Sequence, residues 1–229
     1  MPRPQFILFD AVGTVIHPCP AAVDVYLDHG RRHGIELPRD VVAARFKQAI
    51  VRQREWDREN EFRTSPDRER QRWQRIVAEV FAETTDTDRL LNSLWDHFAG
   101  ADGWRLDPEF EPLIARLSTS AVRWGLASNF DERLHLVCAR WPVFTQAREL
   151  FVSSLLGHAK PGLEFFRAIE TRLGLEPERL LLIGNDPVED YDAARSAGWQ
   201  AVLLGETQSA DQNCIATLAD LPAWLEATR

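Results

Sequence analysis

Four short polar clusters, each lying close behind an apolar run, hold the side chains that could do chemistry. The stretch FILFDAVGTV brings Asp10, followed by Gly13 and Thr14. VRWGLASN ends on Ser128 and Asn129, HAKPG holds Lys160, and LLLIGNDPVED carries Asn185, Asp186, Glu189 and Asp190. A carboxylate at the mouth of a sheet serves as a covalent nucleophile or as a ligand to a hard cation. A lysine neutralises anionic oxygens as a point charge, and a serine hydroxyl with neighbouring amides donates hydrogen bonds to them. Asp186 and Asp190, joining Asp10, make an oxygen-rich set suited to Mg²⁺, an ion that takes few protein carboxylates and completes its shell with substrate phosphate and water. Carboxylate, magnesium, lysine and hydroxyl together describe phosphoryl transfer, which needs positioning and charge neutralisation. Each cluster alone has a plainer reading, as a structural strand-end Asp, a helix cap, a solvated lysine in a turn, or an acidic helix start. Their shared placement is what favours one site.

The elements that must position these groups are legible as pattern. Apolar runs recur at Phe6 to Phe9, Val122 to Ser128, Glu149 to Ser154, Arg179 to Asn185 and Gln200 to Gly205. None alternates cleanly, as a strand with one wet face would, so both faces are expected to be covered by helices, the habit of parallel sheets. Helical patterns lie between them, roughly Pro108 to Leu117, Asp131 to Ala139, Pro161 to Leu173 and Val188 to Ala197. The alternation predicts an α/β fold with a doubly wound parallel, Rossmann-like sheet, and ligands bind such sheets outside the carboxyl ends of the strands.

One stretch breaks this rhythm. From about Pro18 to Gly103 no strand is evident, and charged helical segments follow one another. In SPDRERQRWQRIVAEVFAE, Ser65 can cap, Pro66 takes the first helical position, and Trp73, Ile76, Val77, Val80 and Phe81 line one face. The economical division is an α/β core of residues 1–17 and 104–229 with an all-helical cap of residues 18–103. The cap arginines, among them Arg45, Arg52, Arg54, Arg58, Arg63, Arg68, Arg70, Arg72 and Arg75, are interleaved with acidic residues, as on a solvated, salt-bridged face. A few of them are placed to hang over an active site and meet an anionic substrate.

Composition bounds the function. The chain has 229 residues and a net charge of −8, which argues against a nucleic-acid footprint. Cys19, Cys138 and Cys214 are far apart and odd in number, with neither a disulfide framework nor metal-ligand spacing, which favours a reducing compartment. No apolar run approaches membrane-spanning length and the first residues do not read as a signal peptide. A cytoplasmic protein, monomer or homodimer, with a small-molecule partner and neither nucleic acid nor membrane, is the expectation.

Taken in order, the four clusters resemble the four motifs of the haloacid dehalogenase (HAD) superfamily, and the resemblance runs over essentially the whole chain. FDAVGTV is similar to the first motif, LASNFD to the second, HAKPGLEFF to the third and LLIGNDPVEDYDAARSAG to the fourth; the helical insertion behind the first motif resembles the type-one cap of subfamily I, and SNFDERL is similar to the group around the REG-2-like proteins. The resemblance implies that Asp10 is the nucleophile and that Lys160 serves the nucleophile and the phosphate charge. It implies that Ser128, with Asn129 and Thr14, binds the transferred group. It also implies Mg²⁺ held by Asp10, the Val12 backbone carbonyl and the acidic fourth motif.

Two departures bear on the reaction. Phosphatases of this superfamily carry a second Asp two residues after the nucleophile, which protonates the leaving oxygen; here Val12 stands there and has no proton to give. The dehalogenases resemble DAYGT at that point, since halide leaves without a proton. In the fourth motif Asn185 occupies the usual place of the first Asp and Asp186 follows it, so either Asn185 serves the metal or the loop shifts to bring Asp186 there; Asp186 is the expected working carboxylate, with Asp190, four residues beyond, a ligand or a support behind it. His17, just past the first motif, is a stand-in proton donor or else a packing or surface residue, Cys19 is an inert small residue, and Arg45 or Lys47 lies near the place of the dehalogenases' carboxylate-binding cap arginine without a match that carries the role over. Three readings follow: a Mg²⁺-dependent phosphatase of a small phosphorylated compound working through an aspartyl-phosphate at Asp10; a 2-haloacid dehalogenase-type hydrolase; or a catalytically weakened relative kept for binding. Retained acidic residues in NDPVED favour the first over the second.

Overall fold

The structure is a computed structural model and describes residues 2–118, 122–205 and 213–227. The chain enters through β1 (Phe6–Phe9) and a short β2 (Ile16–Pro18). It then passes through four helices, α1 (Ala22–Arg32), α2 (Arg39–Glu59), α3 (Pro66–Val80) and α4 (Thr87–Ala99). It returns through β3 (Trp104–Leu106), which pairs antiparallel with β2. Helices and strands then alternate: α5 (Phe110–Leu117), β4 (Arg123–Ser128), α6 (Arg133–Cys138), β5 (Glu149–Val152), α7 (Ser153–Leu156), α8 (Leu163–Leu173) and β6 (Leu180–Gly184). A π-helical turn (Pro187–Asp192) leads into α9 (Ala193–Ser196), and β7 (Gln200–Leu204), β8 (Cys214–Ile215) and α10 (Leu221–Ala227) complete the chain.

Six strands form one parallel sheet in the order β5-β4-β1-β6-β7-β8, so β1 lies in its interior between β4 and β6. The unbroken apolar runs have the expected cause. Ile7 and Phe9 of β1 pack into one core with Leu126 and Ile183, while Phe6 and Leu8 pack on the opposite face with Ala127 and Leu182. Successive residues of a strand point to opposite faces, so a strand covered on both sides must be apolar throughout. Each fully buried Leu, Ile or Phe contributes roughly 1.5–3 kcal/mol.

Helices α1 to α4 have a core of their own around Tyr26, Val42, Ile76, Val80 and Phe81. Ser65 caps α3 as its position predicts, accepting a hydrogen bond from the Arg68 amide, with Pro66 at the first turn. No helix among the described residues is long and apolar enough to cross a membrane.

Three local features differ from the pattern-based expectation. β5 stops at Val152, because Ser153 turns its hydroxyl to the Phe130 carbonyl and opens α7. The helix expected over Val188 to Ala197 is divided into the π-helical turn and α9, the Tyr191 amide reaching back five residues to the Asp186 carbonyl. The β2–β3 ribbon and β8 are two or three residues long, too short to leave a periodic signal.

Candidate active site

Asp10 sits one residue beyond β1, its amide bonded to the Ile183 carbonyl of β6, so two neighbouring strands fix its backbone. The Lys160 ammonium lies between two carboxylates, 2.8 Å from Asp10 Oδ1 and 2.5 Å from Asp190 Oδ1. All three residues are buried. Lys160 is held by an amide clamp: Asn129 Oδ1 accepts its backbone N–H and Asn129 Nδ2 donates to its carbonyl, both at 2.8 Å. The same Asn129 Nδ2 lies 3.1 Å from Glu189 Oε2. Thr14, fully buried, directs its hydroxyl toward Asn185 Oδ1 at 3.1 Å and more distantly toward Asp10 Oδ2 at 3.4 Å. Asp10 Oδ2 therefore keeps the freer oxygen of the pair.

Two glycines make this convergence possible. Gly13 has φ of +92°, and a Cβ there would meet the Asn185 amide at 2.8 Å, so the turn after β1 brings backbone directly against the fourth cluster. At Gly184 a Cβ would collide with the Asp190 carboxylate.

The electrostatics follow from burial. Burial pushes the Asp10 carboxyl up to about 7, with Lys160 opposing and Asp190 reinforcing the shift. Burial works against the Lys160 ammonium, but its two carboxylate partners outweigh it and hold its pKa above the ordinary lysine value. Lys160 stays charged throughout the neutral range, and Asp10 can ionise only because Lys160 is there.

The fourth cluster is arranged differently from a simple trio of carboxylates around a point. Asp186 Oδ1 caps the following turn, accepting the Val188 and Glu189 amides at 2.9 Å, and its Oδ2 accepts from Arg54 Nη2 at 2.9 Å. Burial raises its pKa, but these donors more than compensate and keep it below the usual range. Arg54 Nε lies 3.0 Å from Glu189 Oε1, so this one arginine of α2 links the helical segment to both acids. Asp190 Oδ2 accepts the Asp186 amide at 3.0 Å.

Above these groups lies a cavity of about 370 Å³, lined at its base by Asp10, Val12, Ser128, Asn129, Asn185, Asp186 and Asp190. Its other walls come from α1 to α4, from Trp104 and from the segment after β4. Every position expected at the site therefore meets here, except that Thr14 and Lys160 act from behind the cavity lining through Asp10. Of the cap arginines, Arg54 and Arg72 line it. Arg45 instead pairs with Glu83 and the Val80 carbonyl, and Arg52 pairs with Glu79, as a salt-bridged face predicts. His17 pairs with Asp107 on the β2–β3 side, and Cys19 is exposed and free.

The sequence placed Glu189 in the fourth cluster but gave no sign that it joins Arg54 and Asn129, and it did not mark the pair Asp131–Arg133. Arg133 makes a two-pronged bond to Asp131, 2.6 Å on each arm, donates to the Trp95 carbonyl and stacks 3.5 Å over the Trp95 ring. The only trace in the sequence is an acid and an arginine two apart in NFDER, a spacing that means little by itself.

Comparison with known proteins shows the family. A model of the haloacid dehalogenase-like hydrolases matches residues 5–198. The chain belongs to this family. It is 23% identical over 234 residues to the haloacid dehalogenase-like hydrolase domain-containing protein 3 of Danio rerio, covering 97% of this chain and 96% of that protein. It is 26% identical over 222 residues to the Rhythmically expressed gene 2 protein of Drosophila melanogaster, covering 89% and 84% respectively, which places it near the REG-2-like group. Among solved structures it is similar to YfnB from Bacillus subtilis bound to magnesium (TM-score 0.77, 18% identity, 98% and 99% coverage). It is also similar to a HAD phosphatase from Thermococcus onnurineus (0.68, 20%, 96% and 97%) and to the L-2-haloacid dehalogenase of Xanthobacter autotrophicus (0.73, 13%, 99% and 100%). HAD-like neighbours thus include both phosphatases and dehalogenases, and fold alone does not select between them.

Proposed function

We propose that this hydrolase is a phosphatase that works through Asp10 as nucleophile, on a small anionic phosphorylated compound whose leaving group needs no proton. The observation that carries the reading is the buried Lys160 ammonium bonded to Asp10 Oδ1, which leaves Oδ2 for attack. In this reading Oδ2 forms a bond to phosphorus as the bond to the leaving oxygen breaks, and the departing group takes the electron pair. Ser128 and the amides after β4 meet the phosphoryl oxygens, while Lys160 keeps Asp10 ionised from behind the cavity lining. Water then attacks phosphorus in the aspartyl-phosphate, restoring Asp10 and releasing inorganic phosphate, while the water's proton passes to phosphate or solvent. Residues 18–103 act as the cap, with residues 1–17 and 104–229 as the core, and substrate lies between them.

The donor chemistry fits Mg²⁺ as a loosely held ion. Among the described residues no three His, Cys, Asp or Glu side chains form a ready cluster. The oxygens that remain available are Asp10 Oδ2, the second lone pair of Asn185 Oδ1 and the Val12 carbonyl, all hard donors. Asp186 is engaged with two amides and Arg54, and Asp190 with Lys160 and an amide, so both contribute by orienting these groups. One carboxylate with neutral oxygens, water and substrate phosphate is a composition magnesium accepts. When bound, the ion would supply charge neutralisation at the phosphoryl group.

A second reading, attack of Asp10 on carbon in a 2-haloacid, draws support from Val12 and from the neutral Asn185. Parallel assays on p-nitrophenyl phosphate and 2-chloropropionate separate the two. Magnesium-dependent nitrophenol release supports the phosphatase, and chloride release in EDTA would install the dehalogenase.

A further inference from the structure

The ceiling of the cavity is aromatic. Phe46 of α2, Trp73 of α3, Trp95 and Phe98 of α4, and Trp104 and Phe130 all line the space above Asp10. A sugar or polyol in such a box would lose hydrogen bonds to water without replacement, at about 1–3 kcal/mol for each unpaired hydroxyl. A flat apolar ring loses nothing and gains edge and face contacts. The volume of about 370 Å³, at the small end of ligand pockets, accommodates a small ring compound with its phosphate.

Val12 lines the same cavity and has no proton to give. An alkoxide leaves poorly without one, whereas an aryloxide delocalises its charge and leaves unprotonated. The shape of the pocket and the missing acid are independent observations, and both select the same leaving group. The charged residues that also line the wall are engaged with one another or with nearby acids: Arg54 with Asp186, Arg72 with Asp57, and Arg133 with Asp131.

We infer that the cap selects aryl phosphates, the ring of the leaving phenol packing against Trp73 and its aromatic neighbours while the phosphate meets Asp10. This inference rests on the phosphatase reading. In the reaction the phosphorus–oxygen bond to the phenol breaks, the phenolate leaves with the electron pair, and Asp10 Oδ2 takes its place on phosphorus.

The test compares p-nitrophenyl phosphate with acetyl phosphate, whose leaving group also departs without protonation but carries no ring. The expected result is a kcat/KM at least about tenfold higher for the aryl compound. Trp73→Leu should cut that preference about tenfold, and Trp73→Phe should keep it within about threefold. Trp73 is only partly buried, which favours both variants folding, and a melting curve confirms each. Hydrolysis of acetyl phosphate that requires Asp10, with no aryl preference or with a preference unchanged in folded Trp73→Leu, would overturn the inference and leave the phosphatase reading standing. Hydrolysis of neither compound, with or without magnesium, would remove both.

Discussion

Replacing Lys160 by methionine tests the charge arrangement of the site apart from any substrate. Methionine keeps most of the side-chain volume and removes the ammonium that sits 2.8 Å from Asp10 and 2.5 Å from Asp190. Two unit charges with centres about 4 Å apart interact by roughly 4 kcal/mol at an effective dielectric of about 20, equivalent to about three pH units. In the wild type Asp10 already titrates at about 7, above the ordinary carboxyl value of 3.8, so the folded protein holds a proton that the unfolded chain has lost between those limits. Stability from this group therefore falls as pH rises from about 4 to about 7 and then levels off. In Lys160→Met the folded-state value moves further up, and the decline continues above pH 7 at about 1.4 kcal/mol per pH unit. Between pH 7 and 9 the variant should lose about 3 kcal/mol relative to the wild type, read from urea midpoints at several pH values. Hydrolysis at neutral pH should drop by about 10²-fold or more, because Asp10 then stays protonated and cannot attack. A variant whose midpoints run parallel to wild type across this range would refute the claim that Lys160 is what allows a buried Asp10 to ionise.

Further substitutions probe the remaining parts. Arg133→Met strands the buried Asp131 carboxylate without its partner and should cost about 3–5 kcal/mol in urea unfolding, because removing one member of a buried pair leaves an uncompensated charge. Val12→Asp restores an acid two residues after the nucleophile and should raise turnover of alkyl phosphates by about 10²-fold or more while changing p-nitrophenyl phosphate much less. Asn185→Asp adds a second carboxylate beside Asp10 and should tighten Mg²⁺ binding at least about tenfold by calorimetry, with stability falling in EDTA because the added charge faces Asp10.

How far the sequence carries the account depends on the kind of signal. Ile7 and Phe9 against Phe6 and Leu8 show why the sheet was readable: a strand buried on both faces has no polar positions, and five such runs alternating with helical patterns admit few other folds. Asp10, Ser128, Lys160 and Asp190 were legible because strand ends mark the ligand side of such a sheet. Contacts between distant segments were not. Arg54 reaches from α2 to Asp186 and Glu189 across more than 130 positions, and nothing in its immediate sequence separates it from Arg45 or Arg52, which face other acids. The spacing of Asp186 and Asp190 likewise did not show their hydrogen bonds: Asp186 caps the turn after β6, and Asp190 holds Lys160.

The most direct test of the central claim is hydrolysis of p-nitrophenyl phosphate by wild type and Asp10→Asn, each with Mg²⁺ and with EDTA. The aryl leaving group needs little protonation, so Val12 handicaps it least. The account predicts release of nitrophenol by the wild type with magnesium and none above background in folded Asp10→Asn. Turnover that survives in Asp10→Asn would contradict it, because the phosphoryl group would then have reached water without passing through this carboxylate.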